Sequence, residues 1–264
     1  MSSTRPRLLV HGASGRMGRS LLGLLADNSG LHLVAAVANA PRADLGALAV
    51  LRPGQIAQAP RFDVAIDFSA AEALPMLAEA CIKRGAALVS GTTSLDAAAE
   101  SALDSAAEHV PVLWAANFSL GVALLAALAR QAAAAVPDWD CEIIETHHRR
   151  KLDAPSGTAL RLGEAVAAGR GVSLQAVARH GREGAAVLRE PGEIGFHAVR
   201  GGDVVGDHSL LFAGEAEVIE LVHRAGNREV FARGALKAAA WLAGRAPGRY
   251  RIEDVLGLQR DADC

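Results

Sequence analysis

The sequence predicts an α/β protein in two parts: a parallel sheet with helices on its faces, then an α+β part built on a mostly antiparallel sheet. Three observations predict it. Short apolar runs alternate with stretches of helical spacing through the first 118 residues. A glycine cluster separates the first run from the first helix. After Asn117 the alternation gives way to a long alanine-rich helix and then to strand-like pieces separated by glycine and aspartate.

Residues 8–10 are wholly apolar and end in glycines, as a buried parallel strand does. Residues 16–28 carry Met17, Leu21, Leu22, Leu24 and Leu25 at helical spacing, closed by Asn28-Ser-Gly30. Strands are expected at 31–37, 63–67, 86–90 and 110–114, and helices at 71–83 and 95–108. Right-handed crossovers then put the loops 12–18, 68–69, 91–93 and 117–118 at the carboxyl ends of the strands, where ligands gather in such sheets. Beyond Asn117, helices are expected at 122–136, 159–168 and 231–242, and strands at 142–145, 195–200, 208–212 and 218–222. The Gly201-Gly-Asp203 group reads as a turn between antiparallel strands. The domains are expected at 1–118, rejoined by 230–264, and at 119–229.

Composition narrows the function. With 51% hydrophobic and 21% charged residues, the chain has enough apolar surface to offset its ordering entropy, which excludes disorder. A net charge of −2 offers no global basic field for nucleic acid. Cys81, Cys141 and Cys264 are scattered and odd in number, so neither a disulfide framework nor a metal cluster follows. The apolar stretch near the N-terminus is broken by His11 and Gly12, too short for a signal peptide. No apolar run approaches the ~20 residues of a membrane span. A cytoplasmic protein is expected.

Gly12-Ala13-Ser14-Gly15-Arg16-Met17-Gly18 follows a strand and opens a helix. A phosphate fits there, because glycines let the backbone approach and helix N–H groups face the anion. The general spacing is G-x-G-x-x-G, and Ser14 occupies its second glycine position; a tight turn without a ligand is the alternative. In this strand-first setting the loop marks a Rossmann-like nucleotide domain. The acid that would hold the ribose hydroxyls of NAD is missing: the second strand ends Val37-Ala38-Asn39, and the nearest acid is Asp44. Arg42 and Arg16 could face a 2′-phosphate, which favours NADPH; Arg42 as a solvated loop cation stays open.

His147-His148-Arg-Arg-Lys151 places five potential cations directly after a strand, and Asp153-Ala-Pro-Ser-Gly-Thr158 leads into a helix. Ser156, Gly157 and Thr158 lie where helix N–H groups are unpaired, so a hydroxyl, N–H groups and cations together suit a carboxylate. Histidine passes a proton near neutral pH, and lysine can protonate a developing carbanion. A solvated basic loop is the alternative. Metal binding through Glu145, His147 and His148 is disfavoured, since adjacent residues after a strand point to opposite sides.

On these motifs the chain resembles the dihydrodipicolinate reductase family over nearly its whole length. The resemblance rests on residues 12–18, Asp67-Phe-Ser69, Gly91-Thr-Thr93, Ala115-Ala-Asn-Phe118, Glu145-Thr-His-His148, Lys151-Leu-Asp-Ala-Pro-Ser-Gly-Thr158, Gly195-Phe196 with Val199-Arg200, and Gly202-Asp203 with Gly206-Asp-His208. It implies a reductase of a cyclic dicarboxylate in diaminopimelate and lysine synthesis, in which water leaves a hydroxylated ring and hydride from NADPH or NADH reduces the resulting double bond. It implies that the backbone of Gly12 to Met17 cradles the pyrophosphate. Gly91, Thr92 and Thr93 with Ala115, Ala116, Asn117 and Phe118 would line the nicotinamide side. His147 would donate or accept a proton, and Lys151 would protonate the ring carbon beside the hydride acceptor. His148, Gly157 and Thr158 would bind the substrate carboxylates. A homotetramer built through the second sheet is implied too. Family members often carry an acid where this chain has Ala38-Asn39, which leaves dual cofactor use open. Another two-domain amino-acid-pathway dehydrogenase would share the glycine loop but not the 147–158 stretch. A non-catalytic nicotinamide sensor would need neither His147 nor Lys151.

Overall fold

The computed structural model describes residues 5–26, 30–40, 45–46 and 48–258. Arg42, Asp44, Cys264 and the Asn28-Ser29 helix stop lie outside the described residues. In chain order the elements are β1 (Arg7–His11), α1 (Arg16–Leu25), β2 (His32–Val37), β3 (Ala49–Leu51), β4 (Val64–Asp67), α2 (Leu74–Arg84), β5 (Ala87–Ser90), α3 (Ala97–Ala107), β6 (Pro111–Trp114) and α4 (Leu120–Ala135). There follow β7 (Asp140–His147), α5 (Gly157–Gly169), α6 (Leu174–Val177), β8 (Ala178–His180), β9 (Ile194–Arg200), β10 (Asp207–Ala213), β11 (Val218–Arg224), α7 (Glu229–Leu242), β12 (Gly248–Tyr250) and α8 (Ile252–Val255). Two compact units result, Met1–Leu120 with Glu229–Cys264, and Gly121–Arg228.

The first unit is a Rossmann-like parallel sheet of order β12-β6-β5-β4-β1-β2-β3. Strands β4 and β5 are buried at every residue, which is why their sequences run apolar without alternation. One face packs Leu9, Val37, Leu88 and Val112 against Leu74, Leu77 and Leu103 of α2 and α3. α7 returns from the second unit to pack against α1, β4 and β5. Strand order reverses on either side of β1, so a crevice forms at the carboxyl ends of β1 and β4. The three-residue edge strands β3 and β12 and the 3₁₀ turn Pro53–Gln58 carry no legible periodicity.

In the second unit the sheet order is β11-β10-β7-β9-β8. It is mixed: β7 and β8 each pair parallel with β9, and β10 pairs antiparallel with β7 and β11. The chain between β7 and β9 passes through α5 and α6, long enough for the crossover that parallel pairing needs. The Gly201-Gly-Asp203 group therefore does not join neighbours: β7 lies between β9 and β10, while β10 and β11 form a true hairpin. Strand β7 alternates buried and partly exposed residues, and Cys141, Ile143, Glu145 and His147 share its buried face. The apolar members of that face pack with Leu125, Leu162, Val166, Phe196, Leu210 and Phe212. Among the described residues no helix is long and apolar enough to cross a membrane.

Candidate functional site

Two groups of candidate residues emerge, one in each unit. In the first unit the chain turns sharply after β1. Gly12 has φ +79°, and a Cβ there would lie 2.3 Å from the Phe68 carbonyl oxygen, so only glycine fits. The Ala13 N–H donates to the Val37 carbonyl at 2.9 Å, and the Gly15 N–H to the Gly12 carbonyl at 3.0 Å. Gly15 is the N-cap of α1 and brings no side chain to the helix N–H groups, and no acid occupies the first turn. Backbone donors of Arg16 and Met17 thus face outward from a helix terminus, which fits an anion such as a dinucleotide pyrophosphate. A cleft of about 400 Å³ runs over this loop, lined by Gly12, Ser14, Gly15, Ala38, Asn39 and Phe68 among others. A larger cleft of about 860 Å³, lined by Arg5, Arg61 and Arg84 among others, opens at the amino ends of the strands and holds none of the candidate residues.

Asp67, at the carboxyl end of β4, ties these loops together. Its buried carboxylate accepts from His11 Nδ1 at 2.8 Å, from Ser69 N–H and Oγ at 3.2 and 2.6 Å, from Ser90 Oγ at 2.9 Å and from Thr92 Oγ1 at 2.7 Å. Burial opposes its ionisation, yet the His11 ring and the hydroxyls outweigh burial and hold the carboxyl below the usual range. The Thr92 hydroxyl is thereby turned inward, and Thr92 and Ala115 are buried while Thr93 and Ala116 are exposed. Asn117 Oδ1 accepts from the Ser119 N–H at 2.8 Å, and Phe118 packs edge-on against Phe68 at 5.6 Å. Sequence reasoning assigned no role to His11 or Ser90; hydrogen-bonding residues at the ends of adjacent apolar strands were the available signal.

In the second unit the register of β7 with its neighbours builds a compact polar cluster. Arg200 pairs with His147 in register, and His208 with Glu145. Buried Glu145 accepts from His147 Nδ1, from the Ser156 N–H at 3.0 Å, and from both terminal nitrogens of Arg200 at 2.8 and 2.7 Å. Burial alone would raise its pKa, but the Arg200 fork and the His147 ring hold it below the usual carboxylate range. Burial lowers the pKa of His147 against the pull of Glu145, and Lys151 and Arg200 push the same way as burial. His208 sits edge-on to His147 at 5.2 Å, and burial with the neighbouring His147 pushes its pKa down to about 4. Both rings are therefore neutral at pH 7.

Lys151 Nζ bonds Asp153 at 2.8 Å, and the Asp153 carboxylate also takes the Gly157 N–H at the start of α5. A carboxylate of the chain itself thus sits on the lysine and helix terminus that suit one. Ser156 caps α5 by accepting from the Ala159 N–H at 3.1 Å. His148 lies just beyond the strand: its N–H donates to the Val204 carbonyl at 2.8 Å and its ring reaches Arg228 at 3.4 Å. Its Nδ1 is buried without a partner among the described residues. Gly157 is exposed and Thr158 half-buried. Sequence reasoning gave no role to Arg200, His208 or the carboxylate of Asp153. Among the described residues no group of three or more metal-ligating side chains converges.

Residues 6–118 match the family model described as dihydrodipicolinate reductase, N-terminus, and residues 121–256 match the one for its C-terminus. A 4-hydroxy-tetrahydrodipicolinate reductase of Xanthomonas campestris pv. campestris is 45% identical over 258 residues, covering 97% of this chain and all of that protein. One of Thiobacillus denitrificans is 49% identical over 265 residues, covering 96% and 99%. The solved structure of a dipicolinate-bound dihydrodipicolinate reductase from Paenisporosarcina sp. TG-14 superposes with a TM-score of 0.77 at 25% identity, covering 94% of this chain and 98% of that one. A probable dehydrogenase from Thermotoga maritima, at 13% identity and a TM-score of 0.60 over 94% and 92% of the chains, shares the fold alone. With both halves matched and relatives aligned end to end, the chain belongs to the dihydrodipicolinate reductase family.

Proposed function

We propose that the protein reduces 4-hydroxy-tetrahydrodipicolinate to tetrahydrodipicolinate with loss of water, taking hydride from NADPH or NADH, in diaminopimelate and lysine synthesis. The observation that carries this reading is the cluster at the end of β7: a neutral His147 beside Lys151, next to a helix terminus already holding a carboxylate. Bound nicotinamide cofactor supplies the hydride. The residues of this chain hold the reactants and move the protons. The loop of Gly12, Ala13, Ser14, Gly15, Arg16 and Met17 binds the pyrophosphate through its N–H groups. Gly91–Thr93 and Ala115–Phe118 line the nicotinamide side. Lys151 gives its proton to the ring carbon beside the one that receives hydride, and His147 exchanges a proton with the substrate. A substrate carboxylate takes the place of Asp153 at Gly157 and Thr158, with His148 alongside.

The missing acid at Ala38-Asn39 favours NADPH, because neither of these two residues after β2 would repel a 2′-phosphate. The protein works in the cytoplasm as a homotetramer assembled through the second sheet; exposed Val199, Val218, Ile219 and Val222 on its strands support that assembly. Purified protein is expected to oxidise NADPH only when given the condensation product of pyruvate and aspartate semialdehyde. Absence of turnover with either nicotinamide would refute the assignment. Lys151→Ala and His147→Gln should each slow turnover roughly 10²-fold or more while cofactor binding persists. Full activity in either variant removes that residue from the reaction.

A further inference from the structure

The cluster on β7 contains a carboxylate that the reaction as proposed does not use. We infer that Glu145 is a positioning residue: it accepts the Nδ1 proton of His147 and so leaves Nε2 as the ring nitrogen that takes up a proton.

Geometry and charge together select this arrangement of protons. Glu145 Oε1 faces the Ser156 N–H and one Arg200 nitrogen, and Oε2 faces the other Arg200 nitrogen and His147 Nδ1. Arginine and the backbone N–H can only donate. A proton on Oε1 would point only at donors, and the Arg200 fork holds the carboxyl ionised, so Oε2 carries none either and both oxygens accept. His147 Nδ1 then has to carry its own hydrogen, which puts the free lone pair on Nε2. Nε2 has no hydrogen-bond partner among the described residues, and the chain keeps space beside it. A Cβ on Gly206 would come within 2.9 Å of Nε2, so glycine there leaves the nitrogen open. The titratable and charged groups facing the ring are Glu145 on β7, Arg200 on β9, His208 on β10 and Lys151 in the following loop. This deepens the role proposed for His147, from a group that gives or takes a proton to one that begins as the acceptor. Arg200, 55 residues away in sequence, gains a role as well, since its fork holds Glu145 to the accepting state.

Glu145→Gln separates positioning from plain support. An amide nitrogen at the Oε1 position would face two fixed donors, the Ser156 N–H and Arg200. At the Oε2 position it meets one Arg200 donor and a ring nitrogen that can accept by changing tautomer. The amide therefore settles against His147, moves the ring proton to Nε2 and blocks it. The measurement is nitrogen-15 NMR of histidine-labelled protein without ligands, with His147→Gln assigning the resonance. Nε2 of His147 should show the unprotonated form in the parent and the protonated form in Glu145→Gln. In steady-state assays, kcat of Glu145→Gln should fall on the order of 10²-fold or more, with KM for NADPH within a few-fold of the parent. The acid limb of its pH profile should shift. Glu145→Asp, shorter but still only an acceptor, should retain more activity than the isosteric Gln. If Glu145 were mere support, Gln would be the milder change and the pH profile would stay put; that order overturns the inference. So does a protonated Nε2 in the parent, or one tautomer in both proteins. The NMR arm does not depend on the substrate, so its failure is distinct from failure of the proposed reaction.

Discussion

Removing the acceptor at Asp67 is expected to unseat the loops of the first unit. Asp67→Ala deletes the partner of five hydrogen bonds. The hydroxyls of Ser69, Ser90 and Thr92 can turn to other acceptors and the Ser69 N–H keeps Thr92 Oγ1 at 3.1 Å, but the buried His11 ring loses its carboxylate partner. Stranding a buried polar group costs ~1–3 kcal/mol, and the remaining bonds are weakened as they are remade, so the loss comes to roughly 2–4 kcal/mol. That is a large share of the ~5–15 kcal/mol that holds a typical domain together. Asp67→Asn should cost less, about 1–2 kcal/mol, because its amide nitrogen can sit at the Oδ2 position, where Ser90 and Thr92 hydroxyls can reorient to accept. The two proteins should also differ in acid. The folded pKa of Asp67 is depressed, so its stabilisation is present above the unfolded value near ~3.9 and disappears as pH falls through the folded value. The parent should therefore exceed Asp67→Asn in stability at pH 7, and the gap should narrow below about pH 4. Asp63, Glu142, Glu145, Asp153 and Glu193 are depressed too, but they are common to both proteins and cancel in the difference. Urea unfolding followed by circular dichroism from pH 7 to pH 3 makes the measurement. A gap that is absent at pH 7, or that does not change with pH, refutes the reasoning.

Gly12→Ala forces a left-handed backbone on a residue with a side chain, at roughly 1–2 kcal/mol, before the clash with Phe68 is counted. The dissociation constant for NADPH, read by fluorescence titration, should rise tenfold or more; an unchanged constant would show that the loop does not seat the cofactor. Cys81 and Cys141 are buried, and burial pushes the Cys141 thiol up to about 12 and Cys81 further. In a Cys264→Ser background, Ellman's reagent should label neither in native protein and both in urea; rapid native labelling would contradict the packing. Val218 and Val222 share one face of β11 and are exposed, so converting both to lysine should reduce the mass seen by light scattering without altering the circular dichroism spectrum. A mass equal to the parent's rejects that face as the assembly surface.

The parallel sheet was legible because its central strands are buried on both faces and its loops carry glycine where the chain turns. Leu8, Leu9 and Val10, with 64–67 and 87–90, read as strands on their own. β3 and β12 did not: three residues carry no periodicity, and these become strands only by pairing with β2 and β6. In the second unit β7, β9, β10 and β11 were visible as apolar or alternating pieces, yet neighbours in sequence were not always neighbours in the sheet. Placing β7 between β9 and β10 required the crossover through α5 and α6. The stretch from Glu145 to Thr158 marked itself by its density of cations beside a helix start. By itself, then, the sequence determined which residues are proposed for the chemistry and that a carboxylate suits the start of α5. Only the tertiary structure decided which proton sits where. That choice depends on Arg200 reaching Glu145 from 55 residues away, just as His11 reaches Asp67 from 56, and hydrogen-bond partners so distant are set by strand register rather than by local pattern.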